Sequence, residues 1–230
     1  MASSVAYGAF QCIRATYAAE YVLHVQLNRP KQLNALNKSL WTELTQCFRT
    51  IQYDSSVRAV VLSGQGRAFC AGLDLKDSAS DLRLTTSDVS RKAYRLRALI
   101  LEIQAAMSSV QQCDKPVIAA VHGPCIGGGI DLITACDIRY CSKEAIFSVK
   151  EVDIGMAADI GTLQRLQKVV GSDSWVREVC LTARNFSSSE AAQYGLVSRV
   201  CADGQTLLEQ ALGLATTIAA KSPIATMGTK

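Results

Sequence analysis

The sequence predicts an α/β domain, because short apolar strands alternate with amphipathic helices and several strands end in turns that contain glycine. The chain has 230 residues, of which 49% are hydrophobic, so it is long enough to bury one sizeable core. Only 15 glycines and 4 prolines are present, and this composition excludes a disordered or fibrous protein. No linker and no internal repeat divides the chain.

The first elements show the alternation. Residues 21–27 alternate in a β-rich composition and stop at an Asn-Arg-Pro turn, which predicts a strand. Asn37 is a typical N-cap, and the apolar residues Leu40, Leu44 and Phe48 recur at helical spacing after it, so a helix follows. Residues 58–62 then form a short buried strand that enters a glycine turn.

The remaining elements continue the same order. Residues 75–90 are rich in Ser, Asp and Thr and predict a mobile surface loop. Strands are predicted at residues 117–121, 138–141 and 146–149. A long helix is predicted at residues 93–110, and another runs from the glycines at 127–129 to about residue 136. Further helices are predicted at residues 161–170, 172–181, 189–194 and 206–221.

Composition also excludes several functions. The 24 basic and 20 acidic residues give a net charge of +4 without long runs of one sign, which argues against nucleic acid as a partner. The longest apolar runs, such as residues 117–121, are far too short for a membrane span. The 9 cysteines form no C-x-x-C pair and predict buried free thiols rather than disulfides or a metal site. With 2 histidines, a zinc site or a Ser-His-Asp triad has few candidate residues, so we expect no metal.

The most informative segment is the glycine triplet at residues 127–129, where a strand passes into a helix. Glycines allow close approach of the backbone to a ligand, and the N–H groups of a first helical turn point outward, which favours an anion or oxyanion site. The triplet is neither a dinucleotide motif nor a phosphate loop. A tight turn that only serves packing is the alternative.

A second glycine-containing strand exit occupies residues 68–75, Ala-Phe-Cys-Ala-Gly-Leu-Asp-Leu. Its backbone could aim another N–H at the same point, and two donors from two strand ends are what a thioester oxyanion needs. By itself this segment favours a plain turn.

A third segment, residues 149–161, places acidic residues among apolar ones. Carboxylates in apolar surroundings have raised pKa values and can exchange protons near neutral pH. Alternatively, Glu151 and Asp153 cap a turn and Asp159 caps the helix that begins near Gly161. For Asp153 we favour the capping role; for Glu151 and Asp159 periodicity does not decide.

Together these segments resemble the enoyl-CoA hydratase/isomerase (crotonase) superfamily. The matches are residues 27–30 with 34–36, 69–75, 115–123, 127–129 and 135–139, in the order and spacing of that superfamily. The resemblance implies a crotonase-like core of repeated β-β-α units in a spiral. It also implies a C-terminal helical region of which this chain has only the start.

The carboxylates refine the resemblance. Hydratases of the superfamily have a glutamate after the glycine triplet and another twenty residues later, and here these positions are Asp131 and Glu151. Hydratases have a glycine eight residues further on, whereas this chain has Asp159. Residues 150–166 are similar to the Δ3,5-Δ2,4-dienoyl-CoA isomerase family of fatty-acid β-oxidation. The resemblance implies that Glu151 and Asp159 move protons at C2 and C6 of a 3,5-dienoyl-CoA, and that Asp131 tunes or orients them.

The resemblance also implies the rest of the site and its context. Backbone N–H groups of Leu73 and of Gly128 or Gly129 would hold the thioester oxyanion, and the expected substrate-binding residues are Ala71, Gly72, Leu73, Asp74, Leu75, Gly128 and Gly129. The acyl-CoA is the substrate, and no cofactor is expected. Family members form trimers and hexamers in the mitochondrial matrix or the peroxisome. Neither end of this chain predicts a targeting signal.

Residues 1–20 are interpreted as an N-terminal extension with the first strand, 21–200 as the core with the active site, and 201–230 as the incomplete C-terminal helical region. Two other functions stay open. One is an enoyl-CoA hydratase, and the other is a non-catalytic CoA-ester-binding or interaction protein of the same fold.

Overall fold

The computed structural model describes Tyr7 and residues 10–77 and 88–230, and its main feature is a six-stranded sheet. The strand order is β1-β2-β3-β4-β6-β9, in which β1 is antiparallel to β2 and all later neighbours are parallel. These strands are β1 (Ile13–Ala19), β2 (Val22–Leu27), β3 (Ala59–Gly64), β4 (Val117–Val121), β6 (Ile138–Ser142) and β9 (Arg199–Cys201).

A smaller three-stranded sheet has the order β5-β7-β8 and contains β5 (Pro124–Ile126), β7 (Ile146–Ser148) and β8 (Phe186–Ser187). It lies beside the exits of the main strands, because β5 follows β4 after a turn at Gly123, which has φ +56°. Helices connect and cover the strands: α1 (Lys38–Tyr53), α2 (Val89–Gln112), α3 (Gly128–Thr134), α4 (Thr162–Val170), α5 (Asp173–Thr182), α6 (Ser188–Gln193), α7 (Gly204–Ala219) and α8 (Pro223–Thr229). Short 3-10 helices occupy Pro30–Gln32 and Glu151–Ile154.

Alternating residues of the parallel strands supply two cores. In β2, Leu23 and Val25 face the larger core, to which α1 and α2 contribute, whereas Val22 faces a second core formed with α7. Because both faces of the sheet are covered by helices, its central strands β3 and β4 read as nearly continuous apolar runs. The predicted α/β class is therefore confirmed.

Most predicted elements are present with small shifts. Asn37 accepts a hydrogen bond from the Leu40 N–H at 3.0 Å, so it is the N-cap of α1 as predicted. The helix predicted at residues 93–110 is longer and covers Val89–Gln112. Strand β1 lies within residues 1–20, which were interpreted as an N-terminal extension with the first strand; its bounds were not predicted, because its edge position leaves most of its side chains outside the core and so without an apolar pattern. Of the predicted loop at residues 75–90, positions 78–87 lie outside the described residues.

The nine cysteines are free thiols, and all of them except the half-buried Cys180 are buried. In the ranges described, no helix is both long and apolar enough to cross a bilayer. The boundaries proposed at residues 20 and 200 stay predictions.

Candidate active site

Two backbone segments meet beside the small sheet, and the first of them contains Gly72 and Leu73. The Leu36 N–H donates to the Gly72 carbonyl at 2.7 Å, and the Asp74 N–H donates to the Leu36 carbonyl at 2.8 Å. These bonds bracket Leu73 in a parallel bridge, so the N–H of Leu73 points away from Leu36. No acceptor for it lies among the residues that the structure describes.

The second segment is the glycine triplet at the start of α3. Gly127 has φ +51° and ψ −117°, a conformation that favours glycine, and its N–H donates to the Ser148 carbonyl. The N–H groups of Gly128 and Gly129 belong to the first turn and have no partner within the helix. A β-carbon on Gly72 would lie 3.7 Å from the Gly128 nitrogen, which shows how closely the two segments approach.

Glycine is also required at position 128 for packing. A β-carbon there would overlap the Cδ1 methyl of the fully buried Leu36. Leu36 thus contacts α3 while its backbone fixes the segment around Leu73. One residue therefore positions both segments that the sequence analysis singled out.

A cleft of about 330 Å³ opens at this junction. Of the predicted site residues, it is lined by Ala71, Gly72, Leu73, Leu75 and Glu151. Its other lining residues are Ile126, Gly127, Lys150, Asp153, Ile154 and Met156. Leu75 and Ile154 are about half exposed, at 51% and 47%, so the cleft has an apolar mouth. Such a surface suits an acyl chain better than a polar ligand.

Among the residues that the structure describes, Glu151 is the one carboxylate that is both buried and part of the cleft lining. It is the first residue of a 3-10 helix and is 9% exposed. Its Oε2 atom is buried without a hydrogen-bond partner among the described residues. Burial, with the nearby charge of Asp159, raises the pKa of Glu151. An unpartnered carboxyl of this kind can exchange a proton with a ligand.

Asp131 lies beneath Glu151 and is fully buried. Its Oδ1 accepts a hydrogen bond from the Thr162 N–H, whereas its Oδ2 has no partner in the described part of the chain. Burial and the Glu151 charge raise the pKa of Asp131 to about 7, against the opposing effects of Thr162 and Arg165. Neither Asp131 nor Asp159 is part of the cleft lining.

Asp159 lies in the loop before α4 and is partly exposed. Its charge contributes to the raised pKa of Glu151, which places the two carboxylates within electrostatic range. The N-cap of α4 is Gly161, so Asp159 does not cap that helix, as the alternative interpretation would require. The Asp159 backbone carbonyl accepts hydrogen bonds from Gln104 at 2.7 Å and Gln164 at 2.6 Å. Asp153 instead forms an exposed ion pair with Lys150.

Asp74, another predicted site residue, faces away from the cleft. It forms an ion pair of 3.0 Å with Arg29, and both side chains are about nine-tenths buried. Although burial raises it, the pKa of Asp74 is lowered overall, because the Asp77 N–H and Arg29 stabilise the carboxylate. Asp74 therefore fixes the loop that presents Leu73.

The sequence analysis did not single out Lys150, Ile154 and Met156, which also line the cleft. The signal that could have identified Ile154 as a cleft residue is the presence of exposed apolar residues next to a buried glutamate. No group of three His, Cys, Asp or Glu side chains suited to a metal ion occurs in residues 10–77 and 88–230.

The family profile described as enoyl-CoA hydratase/isomerase matches residues 18–230. The human protein named Delta(3,5)-Delta(2,4)-dienoyl-CoA isomerase, mitochondrial, is 52% identical over 235 residues, which cover 100% of this chain and 72% of the human protein. A peroxisomal protein of the same enzyme name from Arabidopsis thaliana is 47% identical to this chain. The alignment covers 91% of this chain and 76% of the Arabidopsis protein.

Among solved structures, an enoyl-CoA hydratase from Bacillus anthracis superposes with a TM-score of 0.84 at 34% identity. The alignment covers 94% of this chain and 80% of that one. A crotonase-like core, expected from the resemblance, is therefore confirmed.

Proposed function

The chain belongs to the enoyl-CoA hydratase/isomerase family, and we propose that it isomerises 3,5-dienoyl-CoA to 2,4-dienoyl-CoA in fatty-acid β-oxidation. The observation that carries this proposal is Glu151, which lines an apolar cleft with its Oε2 atom buried and unpartnered among the described residues, and on which the charge of a second carboxylate, Asp159, acts. Relatives that carry the isomerase name support it, since they are about half identical to this chain.

The reaction needs two proton transfers at distant carbons. A carboxylate removes a proton from C2, and the electron pair moves through the diene and the thioester carbonyl to give a dienolate. A carboxylic acid then protonates C6, and the double bonds come to lie at the 2,4 positions. Atoms and charge balance, because one group gains the proton that the other loses. We assign Glu151 to C2 and Asp159 to C6.

The dienolate oxygen needs hydrogen-bond donors. We assign the Leu73 N–H and the Gly128 N–H, with Gly129 as the neighbouring donor, because neither Leu73 nor Gly128 has an acceptor among the described residues and their segments meet at Gly72. Removing one such donor from a comparable site costs about 3 kcal/mol of transition-state stabilisation.

Asp131 is assigned an indirect role. Because Asp131 and Glu151 are buried near each other, the pair favours holding one proton over two negative charges. Its hydrogen bond with the Thr162 N–H also ties α3 to the start of α4. Asp131 therefore sets the ionisation and orientation of Glu151 without touching the substrate.

This position of Asp131 disfavours hydratase activity. Hydration uses two carboxylates that share a water molecule, but the carboxylate at the first of the two positions, Asp131, is here fully buried. A non-catalytic CoA-ester-binding protein would not require the unpartnered oxygen of Glu151 at the cleft.

The proposed context follows the same relatives. The substrate is an acyl-CoA thioester, no cofactor takes part, and the organelle is the mitochondrial matrix or the peroxisome. The homotrimers and hexamers that the resemblance implies remain part of the proposal.

Two assays of the same preparation test the function. With a 3,5-dienoyl-CoA, the proposal predicts ultraviolet absorbance of a conjugated 2,4-dienoyl-CoA. With a 2-enoyl-CoA, it predicts slow or no loss of the enoyl absorbance. Rapid hydration without diene formation would favour a hydratase, and binding of either ester without turnover would favour a non-catalytic protein.

A further inference from the structure

One face of α2 carries polar side chains directly beside its buried residues. Gln104, Ser108 and Gln111 are spaced at i, i+4 and i+7, so they lie along one side of the helix. We call these three residues the polar stripe. The buried face of α2 consists of Ile103, Ala106, Met107 and Val110. Since that apolar face already packs against the core, the stripe is available for another purpose.

The first residue of the stripe holds the backbone of Asp159. Gln104 Nε2 donates to the Asp159 carbonyl at 2.7 Å, and Gln164 Nε2 donates to the same oxygen at 2.6 Å. The Asp159 carboxylate itself forms no hydrogen bond or ion pair with any residue that the structure describes. Its position therefore depends on how the backbone at position 159 is held.

The other two residues of the stripe hold Arg165. Its Nε donates to Gln111 Oε1 at 2.7 Å, and its Nη2 donates to Ser108 Oγ at 3.0 Å. The third nitrogen of Arg165, Nη1, lies next to Gly161, 3.0 Å from the point that a β-carbon on Gly161 would occupy. The β-carbon of Asp131 lies at the same distance from that point. The stripe thus holds the guanidinium near Asp131, with which it forms no ion pair among the described contacts.

We propose that the polar stripe of α2 is a positioning device for the reaction, which fixes residues 159–165 so that Asp159 and Arg165 keep their places beside Glu151 and Asp131. This inference rests on the proposed function, because it assigns the stripe to the same site. All three stripe residues bond to this one segment, and none of them is expected to contact the substrate.

The test removes both donors to the Asp159 carbonyl. In Gln104→Ala/Gln164→Ala, we expect kcat to fall about tenfold or more while KM stays within about twofold, since the substrate contacts are unchanged. The matched control is Gln112→Ala, which removes an exposed glutamine from the same helix and should keep wild-type kinetics.

A second variant excludes loss of packing as the cause. Gln104→Glu in the Gln164→Ala background keeps the side-chain length but replaces the N–H donor by an acceptor, so it should lose as much activity as the alanine variant. A kcat close to that of Gln112→Ala in either double variant would overturn the inference.

Hydrogen exchange separates this inference from the proposed function. We expect amides of residues 155–161 to exchange about tenfold faster in Gln104→Ala/Gln164→Ala than in Gln112→Ala, at equal global stability. Unchanged exchange there contradicts the stripe's role even if the wild type is an isomerase. A wild type without isomerase activity contradicts the proposed function, while the exchange result still decides whether the stripe holds the segment.

Discussion

The carboxyl oxygen Oε1 of Glu151 lies 3.0 Å from the point that a β-carbon on Gly127 would occupy. Position 127 therefore has no room for a side chain unless Glu151 moves. Gly127 directly precedes Gly128, whose N–H we assign to the oxyanion, so the proton-transfer group packs against the residue that leads into the oxyanion donors. A substitution in either part of the site should affect the other.

Glu151→Gln should abolish most isomerase turnover while leaving binding of a CoA ester nearly intact. The amide keeps the shape of the side chain but has no proton-accepting carboxylate at the unpartnered oxygen. We expect turnover to fall by about two orders of magnitude or more. Ultraviolet assays of 2,4-dienoyl-CoA and calorimetric titration with a product analogue measure the two effects. Wild-type turnover would remove Glu151 from the mechanism.

Asp159→Asn should also lower turnover by orders of magnitude with little effect on ester binding, because the acid that protonates C6 is lost. Asp153→Asn is the matched control, since Asp153 is exposed and paired with Lys150. The same assay compares the two variants. Equal rates in both would mean that Asp159 has no part in the reaction.

Asp131→Asn should change how stability depends on pH. The pKa of Asp131 is raised to about 7 in the folded protein, so the native state binds more protons than the unfolded state between about pH 4 and pH 7. The contribution of Asp131 to wild-type stability should therefore fall as the pH rises through this range and level off above it. The asparagine keeps an acceptor for the Thr162 N–H but has no charge.

Urea unfolding between pH 4 and pH 8 tests this. The advantage of Asp131→Asn should grow with pH and reach on the order of a few kcal/mol near pH 8. Parallel stability curves for the variant and the wild type would show that Asp131 does not titrate in this window.

Gly128→Ala should displace α3 and lower turnover, because the new methyl group overlaps Leu36 Cδ1. We expect a loss of about a hundredfold, as for other misplaced oxyanion donors. In a Leu36→Ala background the overlap disappears, so the added loss should be much smaller. A Gly128→Ala effect of the same size in both backgrounds would contradict this explanation.

Asn34→Ala should destabilise the loop that supports Leu73. Asn34 is fully buried with φ +56°, accepts from the Arg29 N–H, and donates to the carbonyls of Gln65 and Ala68. Three lost bonds and a strained backbone should reduce the free energy of unfolding by about 2–4 kcal/mol. Denaturant titration measures the loss. Asn37→Ala, which removes an N-cap bond and an exposed hydrogen bond to Asp77, should cost about 1 kcal/mol, and an equal cost in both variants would contradict the prediction.

The sequence predicted those features that periodicity and glycine patterns encode. Leu40, Leu44 and Phe48 identify α1 because their spacing matches its buried face. Strand β8 has two residues, too few to form a pattern, and it exists only because β7 pairs with it.

The site could be predicted in its members but not in its arrangement. A motif shows that Asp131 and Glu151 belong to one site, yet it does not show which of them lines the cleft. The contact between Gln104 and Asp159 joins residues 55 positions apart, and no local pattern encodes such a contact.

The most direct test of the two-carboxylate account is isomerisation in D₂O followed by NMR of the product. Because separate groups act at C2 and C6, the acid that protonates C6 exchanges with solvent, and the account predicts a 2,4-dienoyl-CoA with deuterium at C6. Product without deuterium at C6 would mean that one group carries the same proton between the carbons. A hydroxylated product would mean that the protein adds water, and either result would contradict the account.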